Sequence, residues 1–455
     1  MKRWFVRPAK GPLKGAVRVP GDKSIGHRAL ILGAIAEGVS VVRGLSGGED
    51  NRSTRRAFER MGVRIEPDGA DAILIHGVGI DGLRPADGPI DCGNSGTTMR
   101  LLAGLLAGQP FASVLVGDAS LSRRPMGRVC RPLRARGAKI DGRFIAEKND
   151  ECAPIEVRAM PRELGLSELE HEAPVASAQV KSALLFSGLY AQGSTTLTEP
   201  VVSRDHTERM LSAMGVPLQL LGGTVFLDPD GWDHRLRPLE MTVPGDPSSA
   251  AFVLVAAALL PGSRVGVRGV CVNRTRTGIF DALRDMGCAT LWSPKGDEGG
   301  EPVADLFVSE KSGTLRSGAR LGGELSVRSI DEVPALVAAA ASVPQVSELR
   351  DLEELRVKES DRIEALAALL RAFGRPVEVL RDGLRFEGGP LSPATVHSRG
   401  DHRIAMAAAL MGTISRAAGP DARTVIEDVA CVDTSFPGFA RLLNGLGADI
   451  EESSE

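Results

Sequence analysis

Arg60-Met61-Gly62-Val63-Arg64-Ile65 is one of six related phrases in this chain. The others are Ala135-Arg136-Gly137-Ala138-Lys139-Ile140, Ala213-Met214-Gly215-Val216, Asp285-Met286-Gly287-Cys288-Ala289, a weaker Ala372-Phe373-Gly374, and Gly445-Leu446-Gly447-Ala448-Asp449-Ile450. Each follows an amphipathic helical stretch, such as Asp281–Met286 or Phe439–Leu446, and most lead into a strand-like segment. The glycine ends the helix and the β-former after it starts a strand. One such joint fits any α/β protein. Six of them, spaced by roughly 72–87 residues, predict a repeated supersecondary unit longer than a solenoid repeat.

Six units divide as three plus three. Val-Pro-Gly-Asp occurs twice, at Val19–Asp22 and Val243–Asp246, each time before an apolar helical run (Ala29–Ile35 and Ser249–Leu260). The echo marks two equivalent crossing points, near 20–22 and 243–246. It predicts one domain over 21–243 and a second built from 1–20 plus 244–455. Lys295–Gly323 reads as an elaborated polar connection around a short strand, Asp305–Val308, and Glu451–Glu455 as a frayed tail.

The 455 residues are ordinary for a soluble globular protein, with 43% apolar and 25% charged side chains. Lys and Arg number 55 against 58 Asp and Glu, a formal charge of -3. With aromatics at 4%, that balance argues against a nucleic-acid surface. The apolar runs are too short to span a bilayer. The basic N-terminus is broken by Pro8, Gly11 and Pro12 before a signal-type apolar core can form. Six scattered cysteines without a C-x-x-C pair fit free thiols in a reducing compartment, and no residue spacing suggests a metal site. The expectation is a cytoplasmic protein.

The chemistry-bearing residues come in stations. In Pro20-Gly21-Asp22-Lys23-Ser24-Ile25-Gly26-His27-Arg28 a turn feeds a helix, with Ser24 near the helix start and two cations beside it, which suits an anion. The bland reading is a capped helix with solvated basic residues. Asp91-Cys92-Gly93-Asn94-Ser95-Gly96-Thr97-Thr98-Met99-Arg100 again sets glycines and hydroxyls ahead of a helix, matching neither the P-loop nor the dinucleotide fingerprint. In Gly117–Arg128, Arg124 precedes Pro125 and is therefore held extended. Next come Ser177-Ala178-Gln179 and Ser203-Arg204-Asp205-His206. The second half carries Asp331-Glu332, Lys358-Glu359-Ser360-Asp361-Arg362 and Asp401-His402-Arg403. Lys358 and Arg362, four apart, could share one helical face. Standing alone, that segment would be a salt-bridged surface helix.

In this order the stations resemble the 3-phosphoshikimate 1-carboxyvinyltransferase (EPSP synthase) family, from about Leu13 to Leu446. Gly117-Asp-Ala-Ser-Leu-x-x-Arg-Pro-Met-Gly-Arg128 and Ala178 look like the bacterial class II branch. The resemblance implies two similar domains of three βαβαββ units each, an inside-out α/β barrel fold. It implies transfer of the enolpyruvyl group of phosphoenolpyruvate to the 5-hydroxyl of shikimate 3-phosphate, with release of phosphate and without cofactor or metal, by a monomer. By the same resemblance Lys23, Ser24, Arg28, Ser177, Ala178, Gln179, Arg204, Asp331 and Lys358 would hold shikimate 3-phosphate. Lys23, Gly96, Arg124, Gln179, Arg362 and Arg403 would hold phosphoenolpyruvate. Asp331 would be the base and Glu359 the acid, with Lys23 able to share either role. Stations in both halves would let closure of a cleft expel water.

Two positions depart from the family pattern: Thr434 stands where a Lys is common, and Ala178 where a second Ser is. Gly96 leaves room that an Ala methyl would fill, so sensitivity to glyphosate, which competes with phosphoenolpyruvate, is expected. The sister enzyme that carboxyvinylates UDP-N-acetylglucosamine uses a loop cysteine, whereas Cys130 falls inside a helical stretch, Gly127–Arg134. A non-catalytic anion-binding module would need Asp331 and Glu359 to be missing. His402 would orient Arg403 or cap its helix, while His76, His171, His234 and His397 read as structural loop residues.

Overall fold

The computed structural model describes residues 2–416, 419 and 422–453. It contains six four-stranded sheets of one design: an edge strand parallel to its neighbour, then two antiparallel strands. In the simplest copy Ile90–Asp91 runs parallel to Ser113–Val116, with the helix Gly96–Leu106 as the crossover. Ser113–Val116 pairs antiparallel with Asp150–Val157, and that strand with Ile140–Ile145. The chain order is therefore β-α-β-α-β-β. The glycines of the six recurring phrases, Gly62, Gly137, Gly215, Gly287, Gly374 and Gly447, all have φ between 82° and 115°. An L-residue is strained there, which is why glycine closes each helix before its strand begins.

The chain forms two compact units. One comprises Gly21–Val243 with Glu298–Glu301; the other comprises the N-terminal residues to Pro20, Pro244–Asp297 and Pro302 onward. Each has three of the sheets and two kinds of helix. The inner helices are buried nearly all round: Lys23–Ala34, Gly96–Leu106 and Ala178–Gly188 in the first unit. In the second they are Pro247–Leu259, Val333–Ala341 and His402–Thr413. Runs such as Val333-Pro-Ala-Leu-Val-Ala-Ala-Ala-Ala341 have no polar face to turn to water, so they must lie inside. The outer helices, such as Glu49–Arg60 and Phe439–Leu446, are amphipathic and cover one face only. No helix among the described residues is long and apolar enough to cross a membrane.

Several local expectations need correction. The first half of the Lys295–Gly323 segment is sheet: Leu291–Glu298 and Glu301–Val308 are both strands of one sheet. Glu451–Ser453 is not frayed, because Asp449–Ser453 is a strand paired with Arg3–Arg7, with Val6 opposite Ile450. The tail's polar sequence hid this, since on an edge strand only alternate residues need be apolar. Ser454 and Glu455 lie outside the described residues. His76, His171 and His397 lie in strands, and only His234 is in a loop, at φ 57°.

Candidate active site

In the 21–243 unit three of the five stations sit at the N-termini of the three inner helices, and those of Arg124 and Arg204 precede the helices Gly127–Ala135 and His206–Ala213. Asp22, not Ser24, caps the first helix: its Oδ1 accepts from Ile25 N at 2.9 Å. Ser24 lies in the first turn, where its Oγ is 3.5 Å from Arg204 Nη1. Lys23 pairs with Asp50 at 2.8 Å, a partner that spacing did not reveal. Arg28 is buried; its Nε donates to Thr207 Oγ1 and its Nη2 to Ser182 Oγ, both at 2.6 Å. Burial pulls its pKa down to about 10, which leaves it charged at neutral pH.

The second helix is capped by Ser95, whose Oγ accepts from Thr98 N. Gly96 follows. A Cβ there would lie 3.0 Å from Arg100 Nη1 and 3.3 Å from Arg124 Nη1, so two guanidinium groups crowd this glycine. Arg124 has the extended backbone expected before proline, with ψ 140°, and its Nη2 donates to Asn94 Oδ1 at 2.6 Å. Asn94 is held in turn by Asp118. The third helix is capped by Ser177 and begins at Ala178, so Ser177-Ala178-Gln179 is its first turn. Gln179 Oε1 accepts from Arg100 Nη1 at 2.6 Å and its Nε2 donates to Thr97 Oγ1. The third helix thus touches both cation groups, Arg28 through Ser182 and Arg100 through Gln179.

In the other unit the centre is Arg362, 1% exposed at its side chain. Its Nε donates to Asp401 Oδ2 at 2.8 Å, its Nη2 to Glu359 Oε2 at 2.5 Å, and its Nη1 to Asp331 Oδ1 at 3.4 Å. Lys358 Nζ lies 3.7 Å from the same Asp331 oxygen. Arg403 Nη1 donates to the Asp331 carbonyl. Three carboxylates and three cations therefore share one cluster. Burial would push Asp401 up, but the Arg362 guanidinium beside it holds its carboxyl below the usual range. The same carboxylates raise Arg362 despite its burial.

Lys358 and Arg362 do not share a helical face. A short 3-10 turn ends at Val357, Lys358 is extended with ψ -152°, and the helix starts at Arg362 behind the Asp361 cap. They converge through Asp331 instead. His402 is not the cap of its helix; Asp401 is, accepting from Arg403 N at 3.0 Å. Thr434 Oγ1 donates to Cys431 O within its own turn. Cys130 is buried in the helix Gly127–Ala135, and burial with Glu151 nearby pushes its thiol up to about 12. It is a packing residue, not a nucleophile.

Residues 8–443 match the family model described as EPSP synthase (3-phosphoshikimate 1-carboxyvinyltransferase). The chain belongs to the EPSP synthase family. A 3-phosphoshikimate 1-carboxyvinyltransferase from Xanthomonas axonopodis pv. citri is 47% identical over 448 residues, 98% of this chain and 97% of the relative. One from Xanthomonas campestris pv. campestris is 48% identical over 435 residues, covering 96% and 95%. The solved EPSP synthase of Acinetobacter baumannii superposes with a TM-score of 0.84 at 40% identity, each chain fully covered. The α/β architecture of three-sheet halves and the enzyme class read from sequence both hold. This member of the EPSP synthase family is a carboxyvinyltransferase of the shikimate pathway.

Proposed function

We propose that the two clusters divide the labour of enolpyruvyl transfer from phosphoenolpyruvate to the 5-hydroxyl of shikimate 3-phosphate. Lys23, Ser24, Arg28, Ser177, Ala178, Gln179 and Arg204, with Asp331 and Lys358, bind shikimate 3-phosphate. Lys23, Gly96, Arg124, Gln179, Arg362 and Arg403 bind phosphoenolpyruvate. Each substrate carries a phosphate and a carboxylate, and planar guanidinium forks on buried stems suit both groups. Helix N-termini at Lys23, Gly96 and Ala178 add backbone donors.

Asp331 takes the proton of the 5-hydroxyl as its oxygen attacks C2 of phosphoenolpyruvate. Glu359 delivers a proton to the methylene carbon, giving a tetrahedral intermediate with a methyl group. Removal of a methyl proton then expels phosphate and regenerates the double bond, with surrounding cations stabilising the charge on the departing group. The observation that carries this reading is that Asp331 and Glu359 both bind Arg362. A substrate carboxylate on Arg362 would compete with Glu359. A carboxylate that loses its cation becomes easier to protonate, as a general acid must.

The test is phosphate release by the purified protein with phosphoenolpyruvate and shikimate 3-phosphate, with UDP-N-acetylglucosamine as the parallel acceptor. Turnover with shikimate 3-phosphate alone is expected. Turnover only with the sugar nucleotide would overturn the acceptor assignment, and none with either would overturn the catalytic one.

A further inference from the structure

One buried ionic group in the 21–243 unit has no part in the chemistry above. Lys181 lies 2.8 Å from Glu199 and 2.8 Å from Glu208, and the three side chains are 4%, 3% and 1% exposed. Removing such charges from water is costly, and an apolar trio of similar volume would often serve stability as well. The bonding of Glu199 shows what the charge is used for. Its Oε1 accepts from Ser177 N and from Ser203 Oγ, each at 2.8 Å. Its Oε2 accepts from Ser203 N at 3.1 Å and from Lys181 Nζ at 2.8 Å. Ser177 caps the inner helix that carries Ala178 and Gln179, and Ser203 immediately precedes Arg204. A single carboxylate therefore ties together two segments that are distant in sequence and that both present binding residues.

We infer that Glu199 is a positioning residue for shikimate 3-phosphate recognition, with Lys181 as its charge partner. This rests on the assignment of Ser177 and Arg204 to that substrate; Gln179, shared with phosphoenolpyruvate, is held separately by Arg100 and Thr97. A carboxylate is acceptor-only and here meets four donor hydrogens. Glutamine in its place brings an NH2 that faces donors, so at least one bond is lost and the Ser177 and Ser203 segments are no longer clamped to each other. Glu208 shares Lys181 but has no bond to Ser177 or Ser203, so it separates the clamp from the mere charge balance of the buried group.

The experiment compares wild type, Glu199→Gln and Glu208→Gln in steady-state kinetics and thermal melting. Glu199→Gln is expected to raise the KM for shikimate 3-phosphate about tenfold or more, the scale of a lost charged hydrogen bond. Its kcat and its KM for phosphoenolpyruvate at saturating acceptor should stay within about threefold. Glu208→Gln should lower Tm while leaving the KM for shikimate 3-phosphate within about twofold. Equal KM changes in both variants, or a fall in kcat alone for Glu199→Gln, would overturn the inference. Should Glu199→Gln fail to fold, Glu199→Asp, which keeps the charge but shortens its reach, must show the same selective KM rise. Wild type inactive with shikimate 3-phosphate would instead overturn the assignment of function.

Discussion

Alanine at position 96 would set its Cβ 3.0 Å from Arg100 Nη1 and 3.3 Å from Arg124 Nη1. Both atoms end flexible side chains, so the fold can absorb the methyl by moving the guanidinium heads. Gly96→Ala is expected to leave Tm nearly unchanged and to raise the KM for phosphoenolpyruvate about fivefold, the effect of roughly 1 kcal/mol. The inhibition constant for glyphosate should rise more than that KM does, and steady-state inhibition assays compare the two directly. An unchanged KM would remove Arg124 from the binding set. At Glu359 the expected loss is in kcat. Glu359→Gln keeps the shape beside Arg362 but cannot cycle a proton, so turnover should fall about 10²–10⁴-fold, measured by phosphate release. Retention of near-normal kcat would assign the acid elsewhere, Lys23 being the next group to test.

Among the elements, the inner helices Gly96–Leu106 and Ala178–Gly188 come into backbone contact at Gly104. A Cβ there would lie 2.0 Å from the Ala183 carbonyl oxygen and 2.6 Å from its Cα. No side-chain rotation can relieve a clash with backbone, so the helices would have to separate. Gly104→Ala gains about 1 kcal/mol in helix propensity but should lose about 1–3 kcal/mol net through overpacking. Thermal melting should show a Tm lower by several degrees. Because both helices carry binding residues in their first turns, the KM values should rise as well. An unchanged or higher Tm would mean that the helix contact relaxes freely. The helix-strand joints were legible at this scale, since a glycine with positive φ is a local demand. The close approach at Gly104 was not, because a glycine inside an apolar helix looks the same whatever faces it.

At the scale of the whole molecule, the two ends of the chain meet in one sheet. Arg3–Arg7 is flanked by Thr424–Glu427 on one side and Asp449–Ser453 on the other. Ile450 is buried, and Asn444 bonds both its N–H and its carbonyl. Ending the chain at Ala448 should therefore lower Tm and soluble yield together, although the missing residues are mostly polar. Circular dichroism melting checks this, and a truncated protein with wild-type Tm would contradict the pairing. Global stability should also depend on pH through His27. It is fully buried, with Nδ1 2.7 Å from Thr54 Oγ1, and burial lowers its pKa from 6.5 to about 3. The unfolded chain then binds the proton first. The His27 contribution is intact above pH 6.5 and is lost at up to about 1.4 kcal/mol per pH unit as pH falls towards 3. His171, lowered by burial, acts in the same sense. His27→Gln should flatten the Tm decline between about pH 6.5 and 4.5, and an unaltered slope would mean that His27 is protonated in the folded state.

What the sequence determined by itself was local: the six helix-ending glycines, the extended backbone at Arg124 before Pro125, and turns that open apolar helices, though not which residue caps them. Each depends on backbone preferences within a few residues, and the order of the stations was enough to suggest the family and the reaction. Tertiary structure decided which charges meet. Lys358 and Arg362 looked like neighbours on a helix, yet a break at Lys358 separates them and Asp331, remote in sequence, reunites them. Glu199 gave no signal at all, since a lone glutamate before a proline resembles any turn until folding sets Ser177, Lys181 and Ser203 around it. Glu451–Ser453 looked like a frayed tail until the first strand supplied its partner. Ion pairing and strand pairing join residues far apart in the chain, and no periodicity within a segment specifies which distant partner will be there.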